Sequence, residues 1–441
     1  MRWLVGAIFL LLVAILLDFG LLAYAMYALL GVMVLSRWLA DRWSADLSAS
    51  RETNRDRVEI GDRVAVVVKL ENQGWLPIPW LLLEDLLPRK AMIHNPPNLQ
   101  VIGRRLQLLS FRGQTRKTVL YQLQCNRRGY YQLGPLVAET GDVFGLYRRY
   151  RILSEPSYLL AYPKVIPLTG FNIASRRPIG EVRLSHRLYE DPTRMAGVRS
   201  YQAGDPLSRI HWGATAATGQ LHSKIYEAST IAGATLLLDF HQDSFDLRHE
   251  PMRSELAVTT TASIAGAICE MGQQIGLITN ARDAAERIKK RGWHHEGLNP
   301  KLIASRQAAR SKAAMLDESD RLRPQVIPTS RGGAQLRRIL ETLARAEKTD
   351  GLKFAQLIRE TTSRLPASAT VIAILTAVSP ETAIALGNLR RRGFAVTTIL
   401  NTYDPFEFAT MSGLLAAERI ETRQLTDEAA VPTICSTLVL R

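Results

Sequence analysis

Between Trp3 and Leu35 nearly every residue is apolar, and the single interruption is Asp18-Phe19-Gly20. A segment of that length and composition reads as membrane-embedded and decides the architecture before any other feature does. Its two runs, Leu4 to Leu17 and Leu21 to Leu35, predict two helices with the chain turning between them. Each run would rise only about 22 Å, short of a hydrocarbon core of roughly 30 Å, so a hairpin needs help from flanking residues or a thinner bilayer. Trp3, Trp38 and Trp43 stand where interfacial anchors would. One bent span or a signal peptide are the other readings; the doubled apolar length and the lack of a small-residue cleavage site argue against the second. Arg2 precedes the first run and Arg37 and Arg42 follow the second. The excess of positive charge on the inner side of membranes then predicts an inner-membrane protein with both ends, and the rest of the chain, in the cytoplasm. An envelope-facing scaffold is the inverted alternative.

The 441 residues suffice for two or three domains. Cys125, Cys269 and Cys435 are odd in number and far apart, which fits a reducing compartment and neither a disulfide framework nor a zinc site. With 56 Lys and Arg against 41 Asp and Glu, the formal charge of +15 favours anionic lipid or an acidic partner. Nucleic acid is not expected, because the basic residues are scattered from Arg37 to Arg441 without interleaved aromatics.

Four stretches follow the membrane segment of residues 1–43. Residues 44–166 read as an Ig-like β-sandwich: Val64 to Leu70 and Thr118 to Leu123 are rich in β-branched residues, and turn signals recur at Glu71-Asn-Gln-Gly74, Arg112-Gly113, Arg128-Gly129 and Thr140-Gly-Asp142. Residues 167–232 hold the densest motif. Residues 233–441 alternate apolar strands with helices: strands Ala234 to Asp239, Gln274 to Thr279, Thr370 to Thr376 and Ala395 to Leu400, with helices Glu255 to Met271, Pro380 to Arg392 and Phe406 to Glu418. That alternation predicts an open, mostly parallel sheet covered on both faces, which binds ligands at the carboxyl ends of its strands. A polar interruption, residues 282–323, carries eleven Lys or Arg against six Asp or Glu and reads as an exposed insertion, with a docking surface for an acidic partner or lipid as the alternative.

The motif is Arg199-Ser-Tyr-Gln-Ala-Gly-Asp-Pro-Leu-Ser-Arg-Ile-His-Trp212, continuing through Gly219 to Glu227. Asp205 before Pro206 is a strong helix start, Gly204 permits a tight turn, and Gly219 would end a helix of about three turns before a strand from Leu221 to Tyr226. Capping leaves Arg199, Tyr201, Arg209 and Trp212 unexplained, and aromatic and guanidinium groups on one short unit can form a recognition face.

The stretch from Arg199 to Glu227 resembles the signature of the bacterial domain-of-unknown-function family fifty-eight: Arg-x-Tyr-x-x-Gly-Asp, then Ile-x-Trp, a small-residue turn and a terminal Glu. Arg128 to Pro135, Gly141 to Leu146, Tyr162 to Val165 and the N-terminal hairpin resemble that family too. The chain departs from the pattern at Ser208 and Ala217, where basic residues are expected. The resemblance implies a membrane-tethered protein with a von Willebrand factor A-like α/β domain, associated with a MoxR-type AAA+ ATPase. Metal-binding domains of that kind present Asp-x-Ser-x-Ser after the first strand. Here the strand ends Asp239-Phe-His-Gln-Asp243, with His241 and Asp243 at the serine positions, and Ala377-Val378 stand where a second aspartate is usual. The metal site is therefore expected to be degenerate, and no cofactor is expected. His294-His295-Glu296 is read as an exposed loop, and no nucleophile elbow or phosphate-binding loop is found.

These observations lead to a non-enzymatic, membrane-anchored adaptor that contacts a MoxR-type ATPase or a client protein through Arg199, Tyr201, Gly204, Asp205, Arg209, Trp212 and Glu227. The competing expectation is a hydrolase or transferase using Asp205, Asp239 and His211 or His241, which requires those groups to come within hydrogen-bonding reach.

Overall fold

A computed structural model of the protein describes residues 2–17, 19–93, 95–168, 190–202, 207–228, 233–291, 302–303, 305–307, 310, 322–366 and 370–436. Helices α1 (Arg2–Leu16) and α2 (Gly20–Ala45) pack against each other, with the chain turning around Phe19. α1 spans about 22 Å, as its apolar run predicts, but α2 spans about 39 Å at 1.5 Å per residue and is the one helix among the described residues long and apolar enough to cross a bilayer. The extra length arises because nothing after Leu35 stops the helix. Residues 36–45 contain no Gly or Pro, and Arg37–Asp41 and Arg42–Asp46 are ion pairs at helical spacing. This continuation corrects the expectation for Trp43, which is 5% exposed and packs into the β domain's core instead of marking an interface.

The β region contains β1 (Leu47–Thr53), β2 (Arg57–Val58), β3 (Arg63–Asn72), β4 (Ile78–Asp85), β5 (Leu99–Ile102), β6 (Leu106–Phe111), β7 (Arg116–Cys125), β8 (Gly129–Leu133), β9 (Leu136–Gly141), β10 (Arg148–Ser154) and β11 (Ser157–Ala161). One antiparallel sheet runs β1-β3-β7-β5, and a second runs β10-β9-β4-β6. A smaller sheet, β2-β11-β8, sits beside them. Strand period sets the core: Val64, Val66, Val68 and Leu70 of β3 and Val119, Tyr121, Leu123 and Cys125 of β7 all point inward while their neighbours face outward or stay half-buried. Within this core the Arg51 guanidinium donates to Asp85 Oδ1 at 2.6 Å, and Tyr121 Oη donates to Asp85 Oδ2 at 2.7 Å.

The motif region forms a two-stranded ribbon of β12 (Glu190–Ser200) and β13 (His222–Ala228). Beyond it, the α/β sheet contains β14 (Gly233–Leu238), β15 (Gln274–Thr279), β18 (Gln325–Ser330), β20 (Thr370–Leu375), β21 (Ala395–Leu400) and β22 (Glu421–Gln424), with the short pair β16 (Arg282–Asp283) and β19 (Ala346–Glu347) at its side. The spatial order is β18-β15-β14-β20-β21-β22, and every pairing is parallel except that of β18. Strands β14 and β20 are buried throughout, as their unbroken apolar runs require when helices cover both faces. Connections leave β14 and β20 in opposite directions, which opens a crevice between their carboxyl ends.

Several described residues of the insertion are tied to the folded domains, where its composition predicts exposure. Arg282 and Arg287 pair with Glu347, and β17 (Leu302–Ile303) adds antiparallel to β10 of the β domain. Arg306 and Arg310 converge with Arg105 on the buried carboxylate of Glu84. Carboxylates already present in the β domain thus draw the basic chain back onto it. His294-His295-Glu296 lies outside the described residues. The β and α/β domains are joined by Arg128, whose Nη1 donates to the carbonyls of Leu343 at 2.6 Å and Ala346 at 3.0 Å while its Nε lies 3.2 Å from Glu255 Oε2.

Candidate functional site

Two places gather the residues singled out from the sequence. The first is the tip of the β12–β13 ribbon. Arg199 pairs in register with Ser223 in the ladder, and Tyr201 N–H donates to Leu221 O just past it, so both lie at the ribbon's distal end. Between the strands, Leu207–Arg209 forms one 3-10 turn and Trp212–Thr218 a short α-helix. The helix is capped by His211, whose Nδ1 accepts from Ala214 N at 2.9 Å. The expected three-turn helix is therefore replaced by a turn and a two-turn helix. The bridge from Ile210 to Ser223 and the donation from His211 N to His222 O tie the intervening residues to the ribbon and prevent one continuous helix. Gly219 does end the helix, in the left-handed conformation at φ 74°.

Trp212 is 69% exposed and Leu207 73%, with Leu221 and Val198 also exposed nearby. Arg209 is half-buried. Gly204, Asp205 and the Glu227 side chain lie outside the described residues.

The second place is the crevice at the carboxyl ends of β14, β20 and β21. Asp239 follows β14 and is fully buried. Its Oδ1 accepts from His241 N at 3.1 Å and Asn280 Nδ2 at 2.9 Å, and its Oδ2 accepts from Ser244 Oγ at 2.6 Å. Burial pushes its pKa up against those three donors. Both carboxylate oxygens are thus occupied in holding the loop that leads out of β14. His241 Nδ1 is also used locally, accepting from Asp243 N at 3.2 Å. Asp243 itself faces solvent, and among the described residues no three His, Cys, Asp or Glu side chains converge as metal ligands would.

Beside this loop opens a cleft of about 520 Å³, bounded by Ser244, His249, Arg253, Thr376, Tyr403 and Phe406 among others. Arg253 is 8% exposed; its Nη1 donates to Asn401 Oδ1 and Thr426 O, both at 3.0 Å, and its guanidinium lies 4.6 Å from the Tyr403 ring centre. No carboxylate pairs with it among the described residues, and burial lowers its pKa. Chemically this is a place to hold an anion beside an aromatic wall, and its rim carries two hydroxyls in contact with basic groups: Tyr403 Oη lies 2.5 Å from His249 Nε2, and Ser244 Oγ donates to Asp239 Oδ2. Sequence reasoning placed Asp239 but missed Ser244, Asn280, Arg253 and Asn401. A signal for Arg253 existed: it stands in the first turn of the Met252–Glu270 helix, where the helix dipole disfavours a cation.

Comparison with known proteins adds the following. The model of a family described as "Protein of unknown function DUF58" matches residues 197–354. The uncharacterized protein YeaD of Bacillus subtilis (strain 168) is 26% identical over 262 residues, which cover 59% of this chain and 62% of YeaD, so the match spans less than two thirds of that relative. Among solved structures, a CARDB domain from Pyrococcus furiosus overlaps 26% of the chain and 87% of its own length at 13% identity and a TM-score of 0.18. Proximal thread matrix protein 1 from the mussel byssus overlaps 46% of each chain at 8% identity and a TM-score of 0.28. Neither overlap is close enough to carry a fold assignment.

Proposed function

For a chain whose residues 197–354 match the DUF58 family, we propose a membrane-anchored, non-enzymatic adaptor that binds a MoxR-type AAA+ ATPase and a client protein. The observation that carries this reading is the exposure of Trp212 and Leu207 at the tip of the β12–β13 ribbon, inside the family-matched span. Large apolar side chains held in water on an ordered unit are characteristic of protein docking, with aromatic residues dominating the binding energy. Arg199, Tyr201 and Arg209 on the same unit supply polar contacts around them.

The α/β half is read as von Willebrand factor A-like, because its antiparallel strand lies second-neighbour to β14 and an aspartate follows β14. The client is assigned to its carboxyl-end cleft, where Arg253 offers donors to an acidic side chain. The adaptor reading is preferred to a hydrolase because Asp239 has both oxygens engaged and His211 and His241 use Nδ1 as caps. The anchor is placed in the inner membrane with the large domains in the cytoplasm, on the basis of Arg2, Arg37 and Arg42.

The test is crosslinking and purification from native membranes, with and without a non-hydrolysable ATP analogue. Nucleotide-dependent recovery of a MoxR-type ATPase is expected, and the Trp212→Ala protein should lose most of it while remaining folded. Equal recovery by Trp212→Ala overturns the ribbon assignment; failure to recover the ATPase with the wild-type chain overturns the adaptor reading.

A further inference from the structure

The stretch Gly141 to Leu146, which the ribbon and cleft leave unused, is the loop joining β9 to β10. Its tip is apolar and open: Val143 is 69% exposed, Phe144 70% and Leu146 51%. The loop is nevertheless built, not slack. The buried Asp142 carboxylate accepts from Phe144 N at 3.0 Å and Tyr147 N at 2.6 Å, and Trp80 Nε1 donates to Asp142 O at 3.4 Å. A carboxylate spent on the backbone thus holds three large apolar side chains outward.

The location of this tip follows from contacts with α2. Arg151 of β10 donates to the carbonyls of Ser44, Ala45 and Leu47 at the end of that helix. Two residues earlier, Arg149 pairs with Asp41, one turn back along α2. The hairpin therefore climbs beside α2 toward its apolar part. Continuing two or three residues past Arg148 adds roughly 7–10 Å at 3.3 Å per residue, which matches about six residues of helix and brings the tip level with Leu35 to Trp38. Leu35 and Trp38 are themselves exposed there, while Ser36 between them is buried. The exposed Trp75, just before β4, lies at the same end of the domain, because Leu81 of β4 pairs antiparallel with Thr140 of β9. Arg37, Arg42 and Arg148 stand at this end as well, each paired with a carboxylate, Asp41, Asp46 and Glu139 respectively.

We propose that loop 143–146 dips into the lipid surface beside α2, so that the β domain rests on the membrane through Phe144 as well as hanging from the helix. The partner is the lipid bilayer, which the apolar side chains of the tip enter, with the arginines of these ion pairs at the headgroup level. The inference rests on the reading of α2 as a membrane span.

The experiment places an NBD fluorophore on single cysteines of the full chain reconstituted in vesicles of phosphatidylethanolamine and phosphatidylglycerol carrying a shallow doxyl quencher. Cys269 and Cys435 are replaced by Ala, and the buried Cys125 is kept. Three sites are compared: Phe144→Cys, Leu29→Cys within α2, and Phe406→Cys, an exposed apolar position in the α/β domain. Quenching at Phe144→Cys several-fold above that at Phe406→Cys is expected. Phe144→Cys as unquenched as Phe406→Cys, while Leu29→Cys is quenched, overturns the loop's contact and leaves the anchor standing. Loss of quenching at Leu29→Cys as well overturns the membrane reading and the inference with it.

Discussion

Replacing Asp85 with Ala removes one side of an ion pair that is almost completely shielded from water, since the Arg51 and Asp85 side chains are each 1% exposed. The variant leaves the Arg51 guanidinium and the Tyr121 hydroxyl in the core without their carboxylate. Breaking a buried pair from one side typically costs about 3–5 kcal/mol, because the remaining charge is uncompensated. A sandwich-specific probe is already present: Cys125, at the end of the same β7 that carries Tyr121, is a free, buried thiol whose pKa burial pushes up to about 12. Its alkylation in the full chain, followed by mass spectrometry of the Cys125 peptide, reports opening of this domain alone. When opening and closing are fast, the labelling rate scales with the open population, so Asp85→Ala should accelerate it roughly one hundred- to several thousand-fold. The combined variant Arg51→Met, Asp85→Leu, Tyr121→Phe exchanges the whole cluster for apolar groups and should label within about tenfold of wild type, because desolvating the pair offsets most of its attraction. Burial is the largest influence on Asp85 and raises its pKa despite the nearby arginine, in line with that expectation. Little acceleration in Asp85→Ala, or a combined variant as labile as the single one, would refute the reasoning.

Asp239 has a raised native pKa, so its contribution to stability is fully present below the unfolded value of about 3.9 and is lost as pH rises through the native value. In thermal unfolding, the melting temperature of wild type relative to Asp239→Asn should therefore increase as pH is lowered from 7 toward 4; the opposite trend would mean that the three donors outweigh burial. Glu84→Gln should weaken the convergence of Arg105, Arg306 and Arg310, so tryptic cleavage after Arg306 and Arg310 should quicken several-fold without faster labelling of Cys125. Unchanged cleavage would show that β17 alone holds the segment.

Local features were readable from sequence, while features that depend on distant residues were not. The four inner strands of the α/β sheet, β15, β14, β20 and β21, stand where apolar runs placed them, because a strand buried on both faces needs no partner to reveal it, whereas the edge strands β18 and β22 carry no such run and were not read. Gly219 was legible as a helix end for a similarly local reason, the left-handed conformation that favours glycine. The helix start was not. The isolated bridge from Ile210 to Ser223 and the donation from His211 N to His222 O tie these residues to β13, so the α-helix starts only after His211, later than Asp205-Pro206 suggests. Trp43 reads as an interfacial anchor until the β domain it packs against is known. Glu84 and Arg310 are separated by 226 residues, so nothing in either neighbourhood announces their contact. The cleft is intermediate: Asp239 was found from the strand that precedes it, whereas Arg253 becomes meaningful only when β21 brings Asn401 and Tyr403 alongside.

The grip of Arg151 on the final carbonyls of α2 has a mechanical consequence. A helix that passes from apolar surroundings into a folded domain without a loop, and whose end is clamped by that domain, works as a strut rather than a leash. A flexible linker would let the attached domain sweep a volume that grows with linker length, diluting it with respect to any one point. A strut removes that freedom and, with α2 spanning a bilayer as proposed, would fix the standoff of the domain from it. Whatever engages the far side of this protein must reach one defined height, and a tilt imposed there is passed to α2 as torque instead of being absorbed by slack.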